Sequence, residues 1–438
     1  MIWHLVGHWL SFLIPAFYKR IEIHGLEHLR TSDPVIIAMN HPNAFTDPIA
    51  ISSVTYPIRL HYMARGDAFK PGPAAWILRQ IGIIPIFRMQ DGGKEGLKKN
   101  DAAYEEVNRL LANNAKVIVF AEGLCVQERR LRPLKKGVAR MVFGAYTAIG
   151  NDRLKVIPIG VNYSRPNKFR SKILYNVGEA FAVKDYMQLY DENPARAYNV
   201  FLQNLEKKML DLVTHIPRPE LDQTVHHLEK LAKPLLLHKS GNSAPSLRSE
   251  FELSRQLISR LESAQMSQPQ LVTEFRDEAK EYFSALKETR LKDWLFRPEQ
   301  QRRNNFGSLV FRVLILAMVF PFYIVGMAAN FPPLFLTYIL TGRLVKLVEF
   351  YSSFAIGIAA FVFPVFYLLW FFVFLILTGN PFWAMAGCVA ISLCGWACLH
   401  IHPLILRTIG LARFLKLKDR RQIILARRRR VVELINKF

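Results

Sequence analysis

The sequence predicts an α/β domain with a helical extension and C-terminal transmembrane α-helical hairpins. Three observations carry this. Short β-branched runs, separated by helical stretches, punctuate roughly the first 190 residues. Residues 194–303 are charged and amphipathic. Residues 309–406 are almost continuously apolar.

Four runs are read as strands. Val35-Ile36-Ile37-Ala38-Met39 lies between Asp33-Pro34 and Asn40-His41-Pro42. Ile81 to Phe87 reads Ile-Gly-Ile-Ile-Pro-Ile-Phe. Val117 to Phe120 runs into Ala121-Glu122-Gly123, and Val156 to Val161 follows Lys155. Runs this short, without polar alternation, fit strands buried on both faces. Gly96 to Asn113 and Gly137 to Gly150 read as helices between them. Strand–helix alternation predicts an α/β domain with its site at the carboxyl ends of the strands.

The flanks complete the plan. Met1 to Phe17 is apolar and aromatic, but lacks a basic n-region and a small-residue cleavage site. It is short for a span and reads as an interfacial helix on a membrane. Phe354 to Leu377 and Phe382 to Leu406, joined by Gly379-Asn380-Pro381, predict a hairpin across the bilayer. Val313 to Ala329 is followed by Asn330-Phe331-Pro332-Pro333 and seven more apolar residues, Leu334 to Leu340. That pattern predicts a second, short or re-entrant hairpin with the Asn-Phe-Pro-Pro turn at its tip. Arg302 and Arg303 precede these segments; Arg407, Arg413, Lys416 and the run Arg427 to Arg430 follow them. Basic flanks on both sides predict that both are cytosolic, with an even number of crossings. The resulting plan is 1–19 interfacial helix, 20–190 α/β domain, 191–306 helical cytosolic segment, 307–406 transmembrane region and 407–438 basic cytosolic tail. The tail is expected on anionic headgroups, at about 1 kcal/mol per Lys or Arg.

Composition narrows the class. A chain of 438 residues calls for two or three units. Lys+Arg number 58 against 35 Asp+Glu, a net charge of +23, so the partner is anionic. No nucleic-acid motif accompanies that charge, so nucleic acid is set aside in favour of membrane lipid and a phosphorylated substrate. The four cysteines show neither zinc-site nor disulfide spacing and fit a reducing, cytosol-facing compartment. No metal-ligand cluster is apparent.

The chemistry concentrates in Asn40-His41-Pro42-Asn43-Ala44-Phe45-Thr46-Asp47-Pro48, directly after a buried run. A hydroxyl is a poor nucleophile toward a thioester until a base takes its proton, and histidine suits that task near neutral pH. An aspartate on the other ring nitrogen fixes the tautomer and stabilises the imidazolium. No serine or cysteine nucleophile is then needed.

This segment resembles the first motif of the glycerophosphate acyltransferase family, in which Asn-His precedes a nearby Asp. Three more segments follow in the family's order. Gly82-Ile83-Ile84-Pro85-Ile86-Phe87-Arg88 is similar to the second motif, which ends in a phosphate-binding arginine. Phe120-Ala121-Glu122-Gly123 is similar to the third, with Lys135-Lys136-Gly137 and Ala139 as its continuation. Val156-Ile157-Pro158-Ile159-Gly160 is similar to the fourth, and Val177-Gly178-Glu179-Ala180-Phe181 to the strand that closes the domain. The likeness covers about residues 20–185. It implies an α/β acyltransferase domain with His41 as general base and Asp47 orienting it. It implies Arg88 on the acceptor phosphate, Asn40 and Gly123 at the substrate, Glu122 on the acceptor's glycerol hydroxyls or ordering the arginine side chains, and Lys135 and Lys136 either near the phosphates of coenzyme A or on a solvated face. It implies no cofactor or metal, the donor being an acyl-CoA or acyl carrier protein thioester.

Two departures matter. The usual spacing leaves four residues between His and Asp; here there are five. That spacing, with Asn-His-Pro-Asn and Ile-Pro-Ile-Phe-Arg-Met-Gln-Asp, resembles a subgroup that includes fungal glycerol-3-phosphate/dihydroxyacetone-phosphate acyltransferases. In the third motif Ala121 replaces a proline and Leu124-Cys125-Val126 replaces Thr-Arg-Ser, so an expected arginine is missing; Arg129, Arg130 or Arg132 is its candidate replacement. The expected activity is acyl transfer to glycerol 3-phosphate or dihydroxyacetone phosphate. The alternatives are a 1-acylglycerol-3-phosphate (lysophosphatidate) acyltransferase, a catalytically inactive lipid-binding membrane protein, and a lipid hydrolase or transacylase using the same histidine. The expected location is a bacterial inner membrane, with the catalytic domain facing the cytosol.

Overall fold

All four runs read as strands from the sequence are strands in the computed structural model, which describes residues 2–65, 76, 82–86, 100–239, 245–301 and 303–438. The chain divides into two units, Met1–Pro217 with Leu344–Ile356, and Arg218–Arg343 with Gly357–Phe438.

The first unit is built on a mixed sheet, eight-stranded among the described residues: β1 (Arg20–His24), β2 (Val35–Met39), β3 (Leu60–Arg65), β4 (Ile83–Ile86), β5 (Lys116–Phe120), β6 (Lys155–Tyr163), β7 (Lys172–Val177) and β8 (Phe181–Ala182). Its order is β1-β7-β6-β2-β5-β3-β4, with β8 beside β6. The run β6-β2-β5-β3-β4 is parallel; β7 and β8 lie antiparallel to β6. The lack of alternation in β2 has a plain cause. Ile36 and Ala38 face one core with Val117, Val156 and Phe143, while Val35, Ile37 and Met39 face another with Ile51, Ile118 and Tyr175. Both faces are covered, so every position is apolar.

Five helices cover this sheet among the described residues that matter to the site: α1 (Ile2–Phe17), α2 (Thr46–Thr55), α3 (Asn100–Ala112), α4 (Lys136–Ile149) and α5 (Pro194–Leu210). α1 packs on α2 and buries Ile14, while Phe12 stays 72% exposed. The unit runs past the expected boundary at residue 190, because Phe201, Leu205 and Met209 of α5 join the core around Phe143. The segment expected to close the domain as one strand is divided: β7 ends at Val177 and β8 begins at Phe181.

In the second unit, α6 (Asp222–Lys239), α7 (Leu247–Ser267) and α8 (Pro269–Glu288) precede three long apolar helices: α9 (Phe306–Leu344), α10 (Tyr351–Thr378) and α11 (Pro381–Lys416). The three are, among the described residues, long and apolar enough to cross a membrane. The turn between α10 and α11 forms as its residues dictate. Gly379 has φ +65°, Asn380 caps α11 by accepting from Phe382 N at 2.8 Å, and Pro381 occupies the first helical turn. Gly326 lets α9 approach α11 closely, since a Cβ there would lie 2.4 Å from Cys394 O.

Two expectations are corrected here. The Asn-Phe-Pro-Pro segment is not a turn between two helices; α9 stays helical through it. The Asn330 side chain donates to Gly326 O and Ile391 O and accepts from Tyr367 OH at 2.9 Å, which serves polar groups next to the two prolines. Nor does the last apolar helix end at 406, where the basic tail was expected to begin. α11 continues to Lys416, and α12 (Lys418–Ile435) packs on α8. Arg427 pairs with Glu281, Arg430 with Glu274, and buried Arg428 with Asp293 at 2.9 Å. Ile424, Val431 and Leu434 supply the apolar face that makes this packing favourable.

Candidate active site

The site forms where three neighbouring parallel strands end. Met39 of β2 is in register with Phe120 of β5 and Ile159 of β6, so the residues just beyond them converge. His41 follows β2, Glu122 follows β5, and Tyr163 is the last residue of β6.

His41 Nδ1 lies 2.9 Å from Asp47 Oδ2. Phe120 stacks on the imidazole, with centroids 3.7 Å apart and planes 18° from parallel. The imidazole is partly exposed and the aspartate fully buried. The carboxylate has further donors: Asn43 N to Oδ2 at 2.8 Å and Tyr163 OH to Oδ1 at 2.6 Å. A buried carboxylate with this set of donors stays fixed in place. With Nδ1 committed to Asp47, Nε2 is the nitrogen left to act as base.

The five-residue spacing is absorbed locally. Ala44 has φ +27°, an unusual value for a residue with a Cβ. Thr46 N and Asp47 N both donate to Asn43 O, at 2.9 and 3.2 Å, which closes the turn and begins α2. The longer loop therefore still returns Asp47 to the histidine ring.

Glu122 does not reach into open space. Its Oε2 accepts from His41 N at 3.3 Å and its Oε1 from Arg132 N at 2.9 Å. The carboxylate thus ties the loop after β2 to the loop after β5. Burial pushes its pKa up, opposed by those two backbone donors. Of its two expected roles, contact with the acceptor's glycerol hydroxyls or ordering of the arginine side chains, the second has a counterpart in the bond from Arg132 N. Asn40 is likewise committed: it donates to Val161 O at 3.1 Å and accepts from Val161 N at 2.7 Å, pinning the end of β2 to β6. Gly123 turns the chain after β5 at φ +66°, where a Cβ would meet Lys135 Cγ at 3.0 Å. Lys135 and Lys136 are exposed at the start of α4. Arg88 lies outside the described residues. Arg130 and Arg132 gather on Glu128, at 3.3 and 2.8 Å.

Several contributors escaped the sequence reading. Tyr163 ends a recognised strand, so its place beside the other strand ends was the one available signal. Cys125 packs against the turn, its Sγ accepting from Ala44 N at 3.0 Å, and burial beside Asp47 pushes its thiol up to about 12. Asn43, fully buried, donates to Tyr18 OH and Pro166 O. No metal-binding group of three His, Cys, Asp or Glu occurs among the described residues.

Residues 20–162 match the family model described as Acyltransferase. Among curated proteins, glycerol-3-phosphate O-acyltransferase 1 of Saccharomyces cerevisiae is 26% identical over 239 residues, 53% of this chain and 30% of the yeast protein. Glycerol-3-phosphate O-acyltransferase 2 of the same yeast is 26% identical over 137 residues, covering 31% and 18%. A chloroplastic 1-acyl-sn-glycerol-3-phosphate acyltransferase of Arabidopsis thaliana is 29% identical over 152 residues, covering 34% and 38%. The matches thus span less than half the length of each of these relatives. Among solved structures, the 1-acyl-sn-glycerophosphate (LPA) acyltransferase of Thermotoga maritima aligns with a TM-score of 0.33 at 16% identity, over 47% of this chain and 78% of that one.

Proposed function

We propose, from the premise that residues 20–162 carry an acyltransferase domain of the glycerophosphate acyltransferase family, that this chain acylates the hydroxyl of glycerol 3-phosphate or dihydroxyacetone phosphate at a membrane surface. The observation that carries the reading is the His41–Asp47 pair, held at 2.9 Å beyond the strand ends of that domain.

In this mechanism His41 Nε2 takes the proton of the acceptor hydroxyl as its oxygen attacks the thioester carbonyl. Asp47 stabilises the imidazolium formed. The tetrahedral intermediate collapses, the carbon–sulfur bond breaks, and the leaving thiolate takes the proton from His41. The ester and the free thiol are the products, and neither a cofactor nor a metal is called for. Arg88 is the reading's phosphate ligand, as a fixed cationic fork, and Arg129, Arg130 or Arg132 is its candidate source of further charge. The donor is an acyl-CoA or acyl carrier protein thioester.

Support for the first acylation is the five-residue spacing, together with similarity to two yeast proteins named as glycerol-3-phosphate acyltransferases. A second reading, lysophosphatidate as acceptor, draws on similarity to plant relatives named as 1-acyl-sn-glycerol-3-phosphate acyltransferases.

The catalytic unit belongs, in this reading, on the cytosolic face. No uncharged apolar run of spanning length separates Tyr18 from Asn305. Leu344–Ile356 belongs to the unit that holds His41, and α12, after the last apolar helix, packs on α8, before the first. Each apolar stretch therefore starts and finishes on one side. α10 and α11 make two crossings.

The test is transfer from radiolabelled palmitoyl-CoA in detergent–lipid micelles to glycerol 3-phosphate and to lysophosphatidate in parallel, with an acyl carrier protein donor as control. Acylation of glycerol 3-phosphate that His41→Ala abolishes supports the proposal. Acylation of lysophosphatidate alone selects the second reading. No transfer from either donor overturns both.

A further inference from the structure

The catalytic turn is held from a part of the chain more than 300 residues away. Leu344–Ile356 belongs to the first unit and carries the first turn of α10. Ser352 there is fully buried, and its hydroxyl donates to Asn43 Oδ1 at 2.7 Å. Ser353 Oγ accepts from Thr46 N at 3.0 Å, and Thr46 Oγ1 lies 3.2 Å from Ser352 Oγ and 2.8 Å from Ser353 Oγ. The residues gripped, Asn43 and Thr46, flank the positive-φ Ala44. Each is one step from the catalytic pair: Asn43 N donates to Asp47 Oδ2, the oxygen that holds His41, and Thr46 directly precedes Asp47.

We propose that Ser352 and Ser353 are positioning residues for the His41–Asp47 pair, so that an apolar, membrane-crossing helix is part of the active site. The inference rests on the acyltransferase reading.

The physical case has two parts. A backbone held at an unfavourable φ persists only where its surroundings over-determine it. The turn around Ala44 contains one residue more than the family's usual spacing, and, Asp47 Oδ2 on Asn43 N apart, its side chains are held by partners distant in sequence. Phe45, at the N-cap of α2, makes no capping hydrogen bond. Ser353 Oγ gives Thr46 N a second acceptor beside Asn43 O, brought from a distant part of the chain. Secondly, Asn43, Thr46, Asp47 and Ser352 are each at most 1% exposed. Loss of the Ser353 hydroxyl takes one of two acceptors from Thr46 N and one of two partners from Thr46 Oγ1, and the turn relaxes to recover hydrogen bonds. The relaxation moves Asp47 relative to His41, which is a loss in the transition state rather than in substrate binding.

The experiment compares Ser353→Thr with Ser353→Val in the full chain, purified in detergent–lipid micelles. Ser353 is only partly buried, and the two replacements have nearly the same shape while differing in the hydroxyl. The threonine variant is expected to keep kcat within about threefold, and the valine variant to lose it by about tenfold or more, with KM for both substrates and the melting temperature unchanged. Equal activity of the two variants, or a loss that follows the melting temperature, overturns the proposal. Absence of transfer by the unsubstituted protein defeats the acyltransferase reading instead, so the two failures are distinguishable.

Discussion

Tyr163 donates its hydroxyl hydrogen to Asp47 Oδ1 at 2.6 Å, on the carboxylate oxygen that His41 does not use. The two contacts divide the work: one oxygen holds the base, the other is held by the sheet. Tyr163→Phe keeps the ring and removes the donor. A hydrogen bond to a buried charge is worth about 1.5–3 kcal/mol, so kcat is expected to fall about tenfold or more with KM little changed. Burial and the neighbouring Asp47 hold the Tyr163 pKa well above 10. It therefore remains a donor across the assay range, and the wild-type rate profile should show no alkaline limb from this group below pH 10. Steady-state kinetics of the two proteins from pH 6 to 10 check both statements.

Asp47→Asn tests the pair itself. The amide retains the shape but cannot stabilise an imidazolium, and its NH2 opposes the N–H donors that now converge on the carboxylate. In the comparable hydrolase pair that change costs about 10⁴-fold in kcat, and a fall of at least 10³-fold is the expectation here. Single-turnover acyl transfer with saturating donor is the measurement. Retention of more than a tenth of the rate would show that Asp47 does not orient the base.

Cys125 distinguishes this chemistry from a thiol mechanism. Its thiol is pushed up to about 12 by burial and by Asp47, so it stays protonated at assay pH. Cys125→Ser, which preserves an acceptor for Ala44 N, should retain most of the activity. Native protein should alkylate slowly at this position with N-ethylmaleimide at pH 8. Mass spectrometry of the peptide containing Cys125 reads the second outcome.

The parts of this site legible in the sequence are those written within one short segment. β2 and its loop, β5 with Glu122 and Gly123, and β6 all announced themselves by apolar runs ending in polar residues. The role of Asn40 was not legible, because nothing in Asn-His says that an amide will clip Val161, and for Glu122 the ordering of the arginines was one of two expected roles while its bond from His41 N was not foreseen. Ser352 and Ser353 were hidden more deeply, as two small polar residues opening an apolar helix, where solvent exposure is the ordinary expectation. The basic C-terminal segment misled for a related reason. Charge alone does not reveal that Glu274 and Glu281 on α8, and Asp293 just beyond it, wait to receive it.

Asp33 offers a pH-dependent reading of the fold. It joins Lys155 at 2.7 Å and Arg153 Nε at 2.7 Å, fastening the segment before β2 to the start of β6. Hydrogen bonds from these two cations lower its pKa to about 2. A depressed carboxylate contributes stability that is present above its unfolded value and lost as pH falls toward the folded one. The melting temperature of Asp33→Asn should therefore lie below wild type at pH 7, and the gap should narrow between about pH 4 and 2. A gap that stays constant over that window would assign the effect to packing rather than to charge.

The membrane path of α9 is decided by where its far end lies. If α9 crossed once, Lys346 and the catalytic unit would be on opposite faces. Yet Leu344–Ile356 packs within that unit, through Ser352 and Asn43. The prediction is that Lys346→Cys and Asn380→Cys, each introduced into a chain whose four native cysteines are replaced, label from opposite sides of sealed vesicles. With the catalytic domain outward, a membrane-impermeant maleimide should reach Lys346→Cys and spare Asn380→Cys until detergent is added. Labelling of both positions from the outer face would mean that α10 and α11 do not form a crossing pair. Protection of Lys346→Cys alone would make α9 a single complete span.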